Sequence, residues 1–252
     1  MHDKGLSRAF GVRSGTAQIS GQDEAREGLN NSGNGTFVIT SIAALPRYPG
    51  RFAVEVNGRS FAALSVDALE RMRISVGSDI GDRVDAVLAE AAALAVYDRA
   101  LNMLAFRARS ASELARVLVR KGADRVHVEQ AIARLVEQGF IDDAAFARAF
   151  SRAKVVGASH SRRRVQHDLL RKGVSRDVAA RAIDATFEEE GVDKNALVLS
   201  AAQKKLRTLA GLDVEVRRRR LYAFLARRGF DAEDIRAAMH TVGVRLDGST
   251  GR

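Results

Sequence analysis

From about residue 82 to 242, apolar side chains recur every three or four positions with charged residues between them, and no proline interrupts the pattern. That is the period of α-helices packed on one face. The longest run, VDAVLAEAAALAVYDRALNMLAF, reads as one helix. Glycines at 122, 139, 157, 173, 191, 211 and 229 break the pattern. They predict about eight or nine helices of roughly 10–20 residues.

Residues 36–80 have a different rhythm. TFVITSIAAL is β-branched and apolar, and RFAVEV and SFAAL flank Asn57-Gly58. That dipeptide suits a two-residue hairpin turn, because both central residues need a positive φ. Pro46 and Pro49, the only prolines, fall in the loop before the hairpin, and SVDALERM reads as a short helix capped by Ser65. A β-rich module of this size is too small to be very stable alone and is expected to pack on the helical region next to it. Residues 1–35, ending in LNNSGNG, read as a disordered tail, and 243–252 as a flexible C-terminus.

Three stretches inside the helical region align on a glycine: ELARVLVRKGADRVHVEQAI, RVQHDLLRKGVSRDVAARAI and RLYAFLARRGFDAEDIRAAM. The anchors are Gly122, Gly173 and Gly229. Eight residues before each stands Leu114, Val165 or Leu221; four before, Leu118, Leu169 or Leu225; ten after, Ile132, Ile183 or Met239. Each unit reads as helix, glycine stop, helix, with the glycine in the left-handed position that ends the first helix. The residue before the glycine is always basic (Lys121, Lys172, Arg228). A cation there faces the negative end of the helix dipole, a structural role that needs no ligand.

Charge sharpens this picture. Residues 1–92 carry 10 Lys/Arg against 11 Asp/Glu, whereas residues 93–252 carry 31 against 20, so the C-terminal part holds all of the net +10. Such asymmetry suits a polyanion or an acidic protein surface as partner, although 34 of the 41 basic residues are Arg and such usage also reflects genome composition. In VRRRRLYAFLARRGF, Arg217 to Arg220 fan out over about 300°, so no one face holds all four. Val214, Leu221, Phe224 and Leu225 define the expected buried stripe, with Tyr222 at its margin and Arg217 and Arg218 at its edges. Arg219, Arg220 and Arg227 fall on the opposite side. The equivalent residues of the second unit are Arg163, Arg164 and Arg171. The first unit has Glu113 and Arg120 in place of the Arg220 and Arg227 pair, so the outward basic stripe belongs to units two and three.

Catalytic chemistry finds little support. The chain has no cysteine, which excludes disulfides, thiolate metal sites and cysteine nucleophiles. Five scattered histidines include His160 and His167, seven apart, but no set with metal-ligand spacing accompanies them. Asp142-Asp143 stands where a helix needs an N-cap. Phosphate-binding glycine loops and nucleophile elbows are absent from the sequence. Neither an enzyme nor a cofactor is expected. A transmembrane helix would need about 18 consecutive apolar residues, and the N-terminus has no apolar h-region, so a cytoplasmic protein without membrane contact is expected.

ALNMLAFRARSASEL, LVEQGFIDDAAFARAF, RRRVQHDLLRKGV and KKLRTLAGLDVEVRRRRLYAFLARRGF together resemble the RecX family of bacterial recombination regulators over residues 93–242. Residues 36–80 resemble the β-rich N-terminal extension of some members. Members often carry Gly-x-Gly before the second basic helix; here the stretch is GASHSRRR, with Ser159 two residues after Gly157. The resemblance implies a mainly α fold of tandem three-helix, helix-turn-helix-like repeats in an elongated, curved module over 81–242, with units near 93–141, 142–190 and 191–242. It implies binding to the RecA–DNA filament and inhibition of RecA's recombinase, ATPase and co-protease activities, without catalysis. The expected contact residues are then Arg163, Arg164, Arg171, Arg219, Arg220 and Arg227. The expected partners are the RecA filament and DNA without sequence preference, met by a monomer.

A second class, a sequence-specific helix-turn-helix DNA-binding protein, also reads as helix, glycine turn, helix. Against it, the basic residues lie on the first helix of each unit, while second helices such as SRDVAARAIDATF are mixed or acidic outside.

Overall fold

The computed structural model describes residues 36–244. The tail expected over 1–35 lies outside the described residues, as does the expected C-terminal segment beyond Val244. The described chain gathers into two compact units, residues 36–107 with 114–140 and residues 108–113 with 141–244.

The first unit opens with a three-stranded antiparallel meander: β1 (Ile39–Ala44), β2 (Arg51–Val56) and β3 (Arg59–Ser65) in that order. Asn57 and Gly58 form the turn with φ of 50° and 74°, as the dipeptide requires. Thr40 steadies it: its hydroxyl accepts from the Gly58 amide at 2.9 Å and donates to the Glu55 carbonyl. Ser65 caps α1 (Val66–Arg71), accepting from the Ala68 amide at 3.2 Å. A 3-10 turn at Gly81–Arg83 leads into α2 (Val84–Phe106), which covers the long apolar run from end to end. Ile39, Val54, Val56 and Leu64 of the sheet share one core with Val84, Val87 and Leu88 of α2. The sheet therefore packs on the long helix next in the chain. A bidentate Arg51–Asp98 pair, 2.7 Å at its shortest, fastens β2 to the same helix further along. In this unit α4 (Arg125–Glu137) packs along α2, and Tyr97 of α2 donates to Gln138 beyond the end of α4 at 2.5 Å.

The second unit holds α5 (Asp143–Arg152), a π turn at Ala153–Gly157, α6 (Arg162–Arg171), α7 (Arg176–Glu189), α8 (Lys194–Arg207), α9 (Val214–Arg227) and α10 (Ala232–Thr241). Helix α3 (Ala111–Arg120) completes the set, its first residues belonging to this unit and the rest to the other. The packing repeats three times. The first and third helices of each group lie together (α2 with α4, α5 with α7, α8 with α10), and the second is the one that ends on an anchor glycine. Gly122, Gly173 and Gly229 have φ of 85°, 82° and 84°, the left-handed stop expected of them. The residues eight and four before each anchor (Leu114 and Leu118, Val165 and Leu169, Leu221 and Leu225) are all fully buried. Burying each such side chain stabilises the fold by about 1.5–3 kcal/mol. The position ten after the anchor varies: Ile183 and Met239 are buried, Ile132 only partly.

Candidate functional site

The two basic helices of the second unit start in the same way, on a side-chain cap. Ser161 precedes α6 and accepts from the Arg164 amide at 3.2 Å; Asp213 precedes α9 and accepts from the Glu215 amide at 2.8 Å. Their buried stripes then decide where the arginines point. Leu221 and Leu225 anchor α9 in the third repeat's core, with Phe224 and Tyr222 partly buried against it. Val165 and Leu169 do the same for α6.

Arg163, Arg171, Arg219, Arg220 and Arg227 are exposed, and Arg217 and Arg218 half-buried, as their helical phase requires. Two placements differ from expectation. Val214 is 59% exposed rather than part of the stripe, because it is the first residue of α9, two turns ahead of the first fully buried position, Leu221. Arg164 is half-buried: its Nε pairs with Asp168 one turn on at 3.1 Å, which draws it along the helix. The helical pattern alone gave no reason to single out Arg162, an exposed neighbour held by an ion pair with Asp184 and stacked 4.1 Å above the Phe187 ring.

The repeats meet at two related junctions. At the first, Ser110 Oγ accepts from the Glu113 amide at 3.1 Å and donates to the Lys172 carbonyl at the end of α6, at 2.5 Å. At the second, Ser161 Oγ donates to the Gly229 carbonyl at 2.7 Å, and the Ser161 amide donates to the Arg228 carbonyl at 3.0 Å. In each case a helix-capping serine closes the C-terminus of the next repeat's basic helix, filling carbonyls that the helix itself leaves unpaired. Both serines stand twelve residues before an anchor glycine, a signal present in the sequence. Asp143 adds a cap at the first junction, accepting from the Ala111 amide at 2.9 Å, while Asp142 caps α5 through the Ala144 and Ala145 amides. The Asp142-Asp143 pair is thus a capping element.

The junctions differ in charge. Glu113 lies between Arg109, at 3.0 Å, and Lys172, at 2.8 Å, so the cation before Gly173 is matched. Its counterpart Arg228 stacks 4.3 Å from the Phe224 ring, and its Nε and Nη1 are buried without a hydrogen-bond partner. Burial pushes the Arg228 guanidinium below the usual arginine range. His160 sits nearby with a buried, unpartnered Nδ1, 4.0 Å from Asp168. Burial lowers its pKa, and the charges of Arg228, Lys154 and Arg164 lower it further against the pull of Asp168.

Among the described residues, no three His, Asp or Glu side chains gather as ligands for a metal, and no helix is long and apolar enough to cross a membrane. Comparison with known proteins bears on the same elements. Models of the first, second and third three-helix domains of RecX match residues 97–135, 142–183 and 193–239. The regulatory protein RecX of Chlorobaculum tepidum is 35% identical over 145 residues, covering 58% of this chain and 86% of that protein. The regulatory protein RecX of Halalkalibacterium halodurans is 28% identical over 215 residues, covering 83% and 80%. A crystal structure of regulatory protein RecX shares the fold at a TM-score of 0.62 and 20% identity, covering 82% of this chain and 98% of that one. Three consecutive domain matches on the three helical repeats, with relatives aligned over most of their length, place the chain in the RecX family of regulatory proteins.

Proposed function

We propose that this regulator binds the RecA–DNA nucleoprotein filament through the arginines of its second and third repeats. It thereby restrains RecA's recombinase, ATPase and co-protease activities in DNA repair and the SOS response. The observation that carries the reading is the recurrence of one exposed basic set, Arg163 and Arg171 on α6 and Arg219, Arg220 and Arg227 on α9. A repeated cationic array at helical spacing suits a periodic polyanion, and its attraction is independent of sequence. Arg164 joins this surface from its edge. The protein acts as a monomer in the cytoplasm, without cofactor or catalysis, holding its partner by surface contact alone.

The test is co-sedimentation with RecA assembled on single-stranded DNA, beside naked DNA at equal nucleotide concentration. Strong retention by the filament and weak, sequence-blind retention by DNA support the reading. Tight binding to one duplex sequence with no retention by the filament contradicts it and assigns the chain to sequence-specific DNA binding.

A further inference from the structure

We infer that the junction between the second and third repeats is an oxyanion site, built around Arg228 and Arg164, that takes a phosphate of a nucleic-acid backbone. The inference rests on the proposed basic face only in that it supplies one more contact there. Internal comparison carries it. Nine residues before its anchor glycine the first repeat has Glu113, and the second has Arg164. Glu113 reaches across to Lys172, the residue before the next anchor, at 2.8 Å. At the second junction the partner in that position is Arg228, so the arriving charge is of the same sign.

The two chain segments approach closely there. A Cβ on Gly229 would stand 2.7 Å from Arg164 Cβ, and the Ser161 amide binds the Arg228 carbonyl. Asp168, the acid beside Arg164, is already engaged by it at 3.1 Å. Among the described residues Arg228 has no carboxylate partner, and two of its nitrogen donors are buried and unsatisfied. Buried donors left unpaired are costly and rare, and a guanidinium fork matches two oxygens of a phosphate. Arg228 is itself only half-buried, its guanidinium stacked 4.3 Å from the Phe224 ring. The neighbouring residues Arg163 and Arg227 are exposed, which favours the continuous charge of a nucleic-acid backbone over a single carboxylate of a protein.

The test uses the full chain, with inorganic phosphate and a single-stranded oligonucleotide as probes. Thermal unfolding is measured in chloride and in phosphate at matched ionic strength, for wild type, R228Q and R164E. The general stabilisation by phosphate salts is common to all three. Wild type should gain several degrees more in phosphate than either variant. R164E puts a carboxylate where the first repeat has Glu113, at the loss of the Arg164–Asp168 pair, and provides a second comparison if R228Q is unstable. R228Q should also bind the oligonucleotide several-fold more weakly, with a salt slope smaller by about one. Equal phosphate gains in all three proteins overturn the site. A lost phosphate gain with unchanged oligonucleotide affinity overturns its assignment to nucleic acid, as does tighter, Arg228-dependent binding of a polyglutamate peptide. None of these readouts involves RecA, so failure here is separable from failure of the proposed regulation.

Discussion

Ser161 Oγ donates a 2.7 Å hydrogen bond to the Gly229 carbonyl, 68 residues away, and a Cβ on that glycine would stand 2.6 Å from the same oxygen. Gly229 is therefore constrained twice, by its φ of 84° and by the capping serine of the preceding repeat. Gly191 has a φ of 57° and open space around its missing Cβ. G191A should cost about 1 kcal/mol, the left-handed penalty alone. G229A should cost about 3 kcal/mol, since Arg164 Cβ and its amide also crowd the site and must move. Denaturant unfolding of both variants measures the difference. Equal losses would show that the junction yields freely.

The stretch GASHSRRR offers a gain in stability. Ser159 adopts a φ of 49° just before α6. Glycine adopts that conformation at no steric cost. S159G should therefore raise stability by about 0.5–1 kcal/mol, even after the greater freedom of glycine in the unfolded chain is counted. A lower melting temperature would mean that the buried serine side chain contributes more than its backbone strain costs.

The basic face gives a paired comparison. Arg220 and Arg227 are exposed, whereas Arg217 has a buried Nε and Arg218 pairs with Glu215 at 2.6 Å. Replacing Arg220 and Arg227 with Ala should change stability by about 1 kcal/mol or less. It should weaken filament binding and flatten its salt dependence by about one unit per lost phosphate contact. Replacing Arg217 and Arg218 should cost about 1–2 kcal/mol of packing and leave binding closer to wild type. Melting temperature and filament affinity for both double variants decide the matter. Equal affinity losses without a stability difference contradict this division of roles.

Local chemistry made most of the fold legible. Asn57-Gly58, the Ser65 cap and the anchor glycines each act within a few residues, and the structure places them as that chemistry requires. The stripe of α9 was readable at Leu221 and Leu225 but misleading at Val214, because periodicity does not mark where the packing partner ends. The serine junctions were harder. Ser110 and Ser161 look like ordinary helix caps, and their second bonds reach 62 and 68 residues along the chain. Only their common distance from an anchor glycine hinted at more. The unmatched charge of Arg228 was not visible at all. Lys121, Lys172 and Arg228 read alike in sequence, and only the structure shows Glu113 reaching Lys172 while two Arg228 nitrogens stay unsatisfied.

Regulation of RecA is tested most directly by ATP hydrolysis. RecA is assembled on single-stranded DNA and the folded full chain is titrated in, with steady-state hydrolysis as the readout. Suppression should saturate at or below one molecule per RecA, and should shift to higher concentration when Arg220 and Arg227 are replaced. Undiminished hydrolysis in the presence of excess, verified-folded protein would contradict the proposed regulation.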